Sequence, residues 1–171
     1  VIVKTVSKST FYESIETFGT ALSLKNKNYR IKKDKMFDEN IIIGKIVEEG
    51  DLILETSDEK IIAPFDGIVG KREIAQGVLG TESFILTLDD TSSIVLNIKV
   101  PEIYLNILKP GLSAEVKSDS FKTRFYGTVN SVSSRVDPST RSVLANIIVE
   151  NKELKLIPGM LLDIKIIYDK K

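Results

Sequence analysis

Apolar side chains recur at every second position along most of this chain. In SIVLNIKV, Ile94, Leu96, Ile98 and Val100 share one face while Asn97 and Lys99 take the other, as a sheet with one wet side requires. Segments rich in β-branched and aromatic residues read as strands over 1–6, 11–20, 41–47, 51–55, 60–63, 84–88, 94–100, 125–132, 143–149 and 161–167. The pattern predicts a mainly β protein. One stretch departs from it: in PEIYLNILKPG, Pro101 suits a first helical position, Glu102 opposes the N-terminal dipole, and Ile103 and Ile107 share a face. Pro110-Gly111 stops it, so the spacing predicts a helix of two turns.

A weak duplication sits in the first half. Ile42-Ile43-Gly44-Lys45 with Val47-Glu48-Glu49-Gly50 matches Ile68-Val69-Gly70-Lys71 with Ile74-Ala75-Gln76-Gly77. Each copy reads as strand, turn glycine, strand, and a unit used twice points to two halves that bury a face together. Between the copies, apolar segments on either side of Ser57-Asp58-Glu59 form a tight hairpin. Ala63-Pro64-Phe65-Asp66-Gly67 follows, where Pro64 fixes φ and Gly67 is expected to take a positive φ.

Composition narrows the chemistry. The 171 residues hold 24 basic and 24 acidic side chains, no Cys and no His, with 42% hydrophobic residues. That is enough apolar material for one large domain or two small ones. Balanced charge leaves no net field for a nucleic-acid backbone or an anionic membrane. Without Cys and His there are no disulfides, thiolate sites or the commonest general base and zinc ligand, so the chain reads as a non-enzyme with no metal site and no cofactor. The basic stretch LKNKNYRIKKDKM, where Tyr29 and Ile31 alternate with Lys and Arg, reads as a lysine-guarded edge strand. No apolar run reaches the ~18 residues of a membrane span. The opening VIVKTVSKST lacks a signal-peptide layout, which fits either a cytoplasmic chain or one whose export signal has been removed.

The motifs carry a resemblance. Val47–Asp51 as V-x-x-G-D and Ala63–Gly67 as A-P-x-x-G, in that order around a hairpin, resemble the biotinyl/lipoyl fold. In carrier members of that fold a hairpin-tip lysine is modified. Lys60, with Lys33 and Lys35 behind it, is the candidate here, but its place on the returning strand and the missing carrier signature make a solvated strand lysine the preferred reading.

From Lys60 onward the chain resembles the periplasmic adaptor, or membrane-fusion, proteins of resistance-nodulation-division (RND) efflux pumps, in the HlyD-like family. The resemblance rests on IIAPFDGIVG, ILTLDDTSSIVLNIKVPEIYLNILKPGLSAEV, FYGTVNSVSSRVDPSTRSVLANIIVEN and LIPGMLLDIKI, with IETFGTA as lead-in. It implies a lipoyl-like β-sandwich over 21–90, in half-motifs 21–56 and 60–90. A small antiparallel β-barrel with one short helix would follow, from 1–20 and 91–171, with the start of a membrane-proximal region at its end. The helical hairpin that relatives insert between the half-motifs is absent, only Ser57-Asp58-Glu59 standing there.

The family's role would make this a ring-forming periplasmic subunit attached to the inner membrane. Its partners would be an inner-membrane transporter and an outer-membrane channel. The loop with Gln76, Gly77, Val78 and Leu79 is the candidate for lining the bore, and Glu102 and Arg141 are candidates for facing the transporter. Asp137 is expected to accept backbone N–H bonds in the turn that Arg141 braces. The alternatives are an adaptor of an ATP-driven or type I secretion exporter, and a lipoyl or biotinyl carrier domain.

Overall fold

A computed structural model describes residues 12–36, 42–73 and 83–170. The described strands are β1 (Tyr12–Lys32), β2 (Ile46–Val47), β3 (Leu52–Glu55), β4 (Lys60–Ile62), β5 (Gly67–Glu73), β6 (Ser83–Pro101), β7 (Ser113–Ser118), β8 (Phe121–Asp137), β9 (Ser142–Glu150) and β10 (Leu161–Lys170). Contacts divide the chain into a unit of 1–22, 95–150 and 159–171 and a unit of 23–94 with 151–158. The excursion 151–158 thus belongs to the second unit, where the sequence boundaries counted it with the barrel.

The first unit is a closed antiparallel barrel. Its strands follow one another in the order β1-β10-β7-β8-β9-β6, and β6 pairs back onto β1. Closure leaves no open edge. Alternation fills the interior: Ile15 and Ala21 from β1, Leu96, Ile98 and Val100 from β6, Ala145, Ile147 and Val149 from β9, and Leu162, Ile164 and Ile166 from β10 are all buried. Gly19 is where the wall closes. A Cβ there would lie 2.8 Å from Ile98 Cγ2 and 2.9 Å from the Asn97 carbonyl oxygen, so β1 and β6 approach this closely only because the position has no side chain.

The predicted helix is corrected. Only Glu102–Tyr104 is helical, as one 3-10 turn, followed by turn hydrogen bonds from Ile107 and Leu108 to the Tyr104 carbonyl. Ile103 is 75% exposed, so the Ile103/Ile107 stripe is not what the barrel buries; Leu108 is, at 5%. A single buried anchor fixes one turn and gives a second nothing to pack on.

The second unit is a two-layer sandwich. β2, β5 and β6 form one layer and the hairpin β3-β4 the other. Between them lie Val47, Leu54, Ile61, Ala63, Val69, Phe84, Leu86 and Leu88, with Ile31 from β1. The two copies of the repeat pair antiparallel, Ile46 opposite Ile68 and Val47 opposite Gly67. Beyond that ladder Gly44 N–H donates to the Val69 carbonyl at 2.7 Å and Val69 N–H to the Lys45 carbonyl at 2.9 Å, so the equivalent glycines Gly44 and Gly70 lie close to where the copies meet. Their roles differ: Gly44 has φ +82 in a turn, whereas Gly70 lies within β5, where a Cβ would collide with the Thr87 hydroxyl.

The two motif turns hold each other. Glu49 N–H donates to Asp66 Oδ1 at 2.7 Å and Glu48 N–H to Asp51 Oδ2 at 3.0 Å. Gly50 N–H donates to the Ala63 carbonyl and Ala63 N–H to the Asp51 carbonyl, both at 2.8 Å. The positive φ of this corner belongs to Gly50, at +94, and not to Gly67. Gly67 is excluded from carrying a side chain for another reason, the Asp89 carbonyl oxygen 2.8 Å from its would-be Cβ.

Candidate functional site

The barrel register brings together the two residues that the sequence assigned to a docking role. Glu102, after β6, and Arg141, before β9, are joined by backbone and side chain. Glu102 N–H donates to the Arg141 carbonyl at 3.0 Å, and Arg141 Nη1 lies 3.7 Å from Glu102 Oε1. The turn behind them is built by Asp137. Its Oδ1 accepts the Ser139 hydroxyl at 2.6 Å, the Ser139 N–H at 2.9 Å and the Thr140 N–H at 3.4 Å. These bonds stabilise the charged form. With the Ser139 hydroxyl contributing most, they hold the Asp137 carboxyl at about 2. Arg141 N–H closes the turn onto the Asp137 carbonyl at 2.8 Å.

The hairpin tip is the second feature. Glu55 pairs with Lys60, leaving Thr56-Ser57-Asp58-Glu59 as the loop. Thr56 N–H and Oγ1 both donate to the Glu59 carbonyl, and Glu59 N–H returns a bond to Thr56 Oγ1. Ser57 N–H donates to the Lys35 carbonyl, and the Lys35 ammonium donates to Asp58 at 3.3 Å. That ammonium, then the Ser57 hydroxyl, pulls the Asp58 carboxyl below its ordinary range. Lys60 opens β4, with its ammonium 3.1 Å from Glu55 Oε1. Lysines of the basic stretch find partners within their own unit as well: Lys25 stands over the Phe65 ring and Lys27 over the Tyr29 ring.

Gln76, Gly77, Val78 and Leu79, the candidate bore loop, lie outside the described residues. Among the described residues no cluster of three or more carboxylates has metal-binding spacing.

Sequence reasoning missed an apolar groove of about 480 Å³ in the sandwich unit, lined by Ile43, Gly44, Ile68, Gly70, Leu154 and Ile157 among others. Ile43 and Ile157 are 63% and 60% exposed. A signal was present, because Ile42 and Ile43 are adjacent apolar residues that stay exposed outside the two-residue strand β2. It was absorbed into a predicted strand over 41–47.

Residues 93–170 match the family model of the CusB-like β-barrel domain of RND systems. The cobalt-zinc-cadmium resistance protein CzcB of Cupriavidus metallidurans is 27% identical over 105 residues. Those residues are 61% of this chain and 20% of CzcB, so the chain matches about a fifth of that relative's length. Two solved structures share the fold. ZneB from Cupriavidus metallidurans superposes with a TM-score of 0.69 at 14% identity, covering 96% of this chain and 73% of ZneB. MacA from Actinobacillus actinomycetemcomitans does so at 0.70 and 16%, covering 100% of this chain and 83% of MacA.

Residues 93–170 are thus similar to the CusB-like β-barrel domain, and the chain as a whole shares the fold of ZneB and MacA. The closed barrel carries most of the residues that match the CusB-like domain, and the two-motif sandwich has a lipoyl-like fold. No helical hairpin stands between the half-motifs, since described residues run unbroken from Glu55 through the tip to Lys60.

Proposed function

We propose that this chain is the adaptor subunit of a tripartite export pump, in the periplasm and attached to the inner membrane. It joins an inner-membrane transporter to an outer-membrane channel and works by packing copies of itself into a ring. The observation that carries this reading is the pairing, in one chain, of a closed CusB-like barrel with a lipoyl-like sandwich. We assign the sandwich to 21–90 joined by the excursion 151–158, and the barrel to 1–20, 91–150 and 159–171. The barrel corner holding Glu102 and Arg141 is the face assigned to the transporter.

This role needs no nucleophile. It asks for a rigid wall without sticky edges and for surfaces with directed polar groups. Both hairpin strands are capped by a tip held by bonds between Thr56 and Glu59 and by Ser57 N–H on the Lys35 carbonyl, so the hairpin turns back within four residues. Contact with a channel through helical tips is thereby excluded for the segment 55–60, and any contact made there is made by the sandwich itself.

Protease accessibility tests the location. In intact cells the full-length protein should resist added protease, and it should be degraded once the outer membrane is opened. Resistance that persists until the inner membrane is broken would place the chain in the cytoplasm and overturn the reading.

A further inference from the structure

The apolar groove of the sandwich unit holds a single charge. It encloses about 480 Å³ and is lined by eleven residues, of which only Asp89 and Thr91 have polar side chains and none is basic. Pairing of β5 with β6 puts Asp89 directly opposite Ile68. Paired residues of an antiparallel ladder project to the same side of a sheet, so the carboxylate and the Ile68 side chain share the groove face. Asp89 Oδ1 accepts the Ser23 hydroxyl at 2.8 Å and Asn26 Nδ2 at 2.7 Å. Both donors are neutral, and among the described residues Asp89 takes part in no ion pair. The other wall comes from the excursion 151–158. There the Asn151 side chain bonds both backbone groups of Leu156, and Leu154 N–H donates to the Asn151 carbonyl at 2.9 Å. That wall is set before any ligand arrives, which spares the ordering cost of binding.

We propose that this groove binds a small organic cation with apolar flanks, its charge set against Asp89 and its hydrocarbon against Ile43, Ile68, Leu154 and Ile157. Size selects a small molecule. The volume falls within the roughly 300–1,000 Å³ of small-molecule pockets, whereas eleven lining residues are well short of the roughly 20–30 a side of a standard protein interface. Charge selects the sign, because the groove offers a carboxylate and no cation: an anion would be repelled, and a neutral apolar molecule would cover part of the carboxylate without compensating it. A metal ion needs several oxygen ligands, and the groove presents one carboxylate among aliphatic side chains. Ile43 and Ile157, both more than half exposed, gain most from a ligand that brings hydrocarbon with its charge. The site stands on the sandwich unit alone and does not depend on the adaptor role.

The test uses two probes of the same shape and opposite charge, tetraphenylphosphonium and tetraphenylborate, in equilibrium dialysis against the purified full-length protein. Asp89→Asn and Ile157→Gln are dialysed beside the parent, and all three are melted and sized by sedimentation. Asparagine keeps an oxygen for Ser23 and Asn26, and Ile157 is an exposed side chain, so both variants should melt within about 3 °C of the parent. The expected result is saturable one-to-one binding of tetraphenylphosphonium with a Kd on the order of 100 μM, and tetraphenylborate binding at least tenfold weaker. Affinity for the cation should fall by about fivefold in Asp89→Asn and about threefold in Ile157→Gln. The inference is overturned by no saturable binding of the cation up to about 1 mM, by equal or tighter binding of the anion, or by a cation affinity that ignores both substitutions. Self-association of the parent that Ile157→Gln abolishes would give the groove to a second copy of the chain and overturn it as well. Should Asp89→Asn fail to fold, the comparison of the two probes on the parent and on Ile157→Gln decides alone.

Discussion

Replacing Asn151 with alanine should unfold the loop 151–158 from the sandwich unit and lower stability by about 3 kcal/mol. Asn151 is 2% exposed, and its amide serves three buried backbone groups. Nδ2 donates to the Thr91 carbonyl at 2.9 Å and to the Leu156 carbonyl at 2.8 Å, and Oδ1 accepts Leu156 N–H at 3.0 Å. Each such bond contributes about 1 kcal/mol net, and each orphaned buried group costs about as much or more. The loop's Leu156, 1% exposed, is anchored through two of the three.

Calorimetry should show a fall of roughly 6–12 °C in the melting transition that contains the sandwich. Asn151→Asp adds a pH signature. A carboxylate there would face two carbonyl oxygens, so its folded pKa would rise above the unfolded value of about 3.9. A raised folded pKa means stability that is highest in acid and is lost as pH rises, so this variant should lose stability from pH 4 to 7 relative to the parent. A fall under about 1 kcal/mol for Asn151→Ala, or an Asn151→Asp variant whose deficit is flat with pH, would refute the reasoning.

Three other outcomes follow from the same geometry. Gly127→Ala should cost about 2 kcal/mol, because the new Cβ would lie 2.6 Å from the Ile148 carbonyl oxygen on the paired strand; urea titration reading a loss under about 0.5 kcal/mol would contradict it. The Asp137 carboxyl should titrate by NMR at about 2. Its depressed folded value places its contribution to stability above the unfolded value near 3.9, to be lost as pH falls through about 2, and a midpoint near 4 would mean the turn bonds are absent in solution. Lys60→Met should leave melting within about 3 °C and export intact, since the lysine is an exposed partner of Glu55; a lipoate or biotin mass increment on the parent protein would instead restore the carrier reading.

Much of the barrel was legible because its strands alternate cleanly, as Ile94, Leu96, Ile98 and Val100, all buried, illustrate. What was hidden depended on partners far along the chain. Asp89-Asp90-Thr91-Ser92 reads locally as a break between two strands, yet β6 runs through it as one strand of 19 residues. Asp89 is satisfied there by Ser23 at 2.8 Å and Asn26 at 2.7 Å, both on β1. Turn-forming side chains lose their argument for a turn when another strand supplies their hydrogen bonds.

β7 went unpredicted because SAEVKS offers only Ala114 and Val116 as apolar positions, although both are buried. The reverse error occurred over 41–47, where a continuous apolar run concealed the turn that Gly44 makes. At the site, Asp137 as a turn-former was readable from its own neighbours. The left-handed Arg141 gave no signal because its residue type does not favour that conformation, and the buried Asn151 gave none because the Thr91 carbonyl it serves lies 60 residues away.

If this chain bridges two membrane partners as proposed, in-cell chemical crosslinking of the tagged full-length protein, followed by purification and mass spectrometry, should recover an inner-membrane transporter and an outer-membrane channel, with several copies of the chain in the same complex. Recovery of the chain alone, or with neither membrane partner, would contradict it.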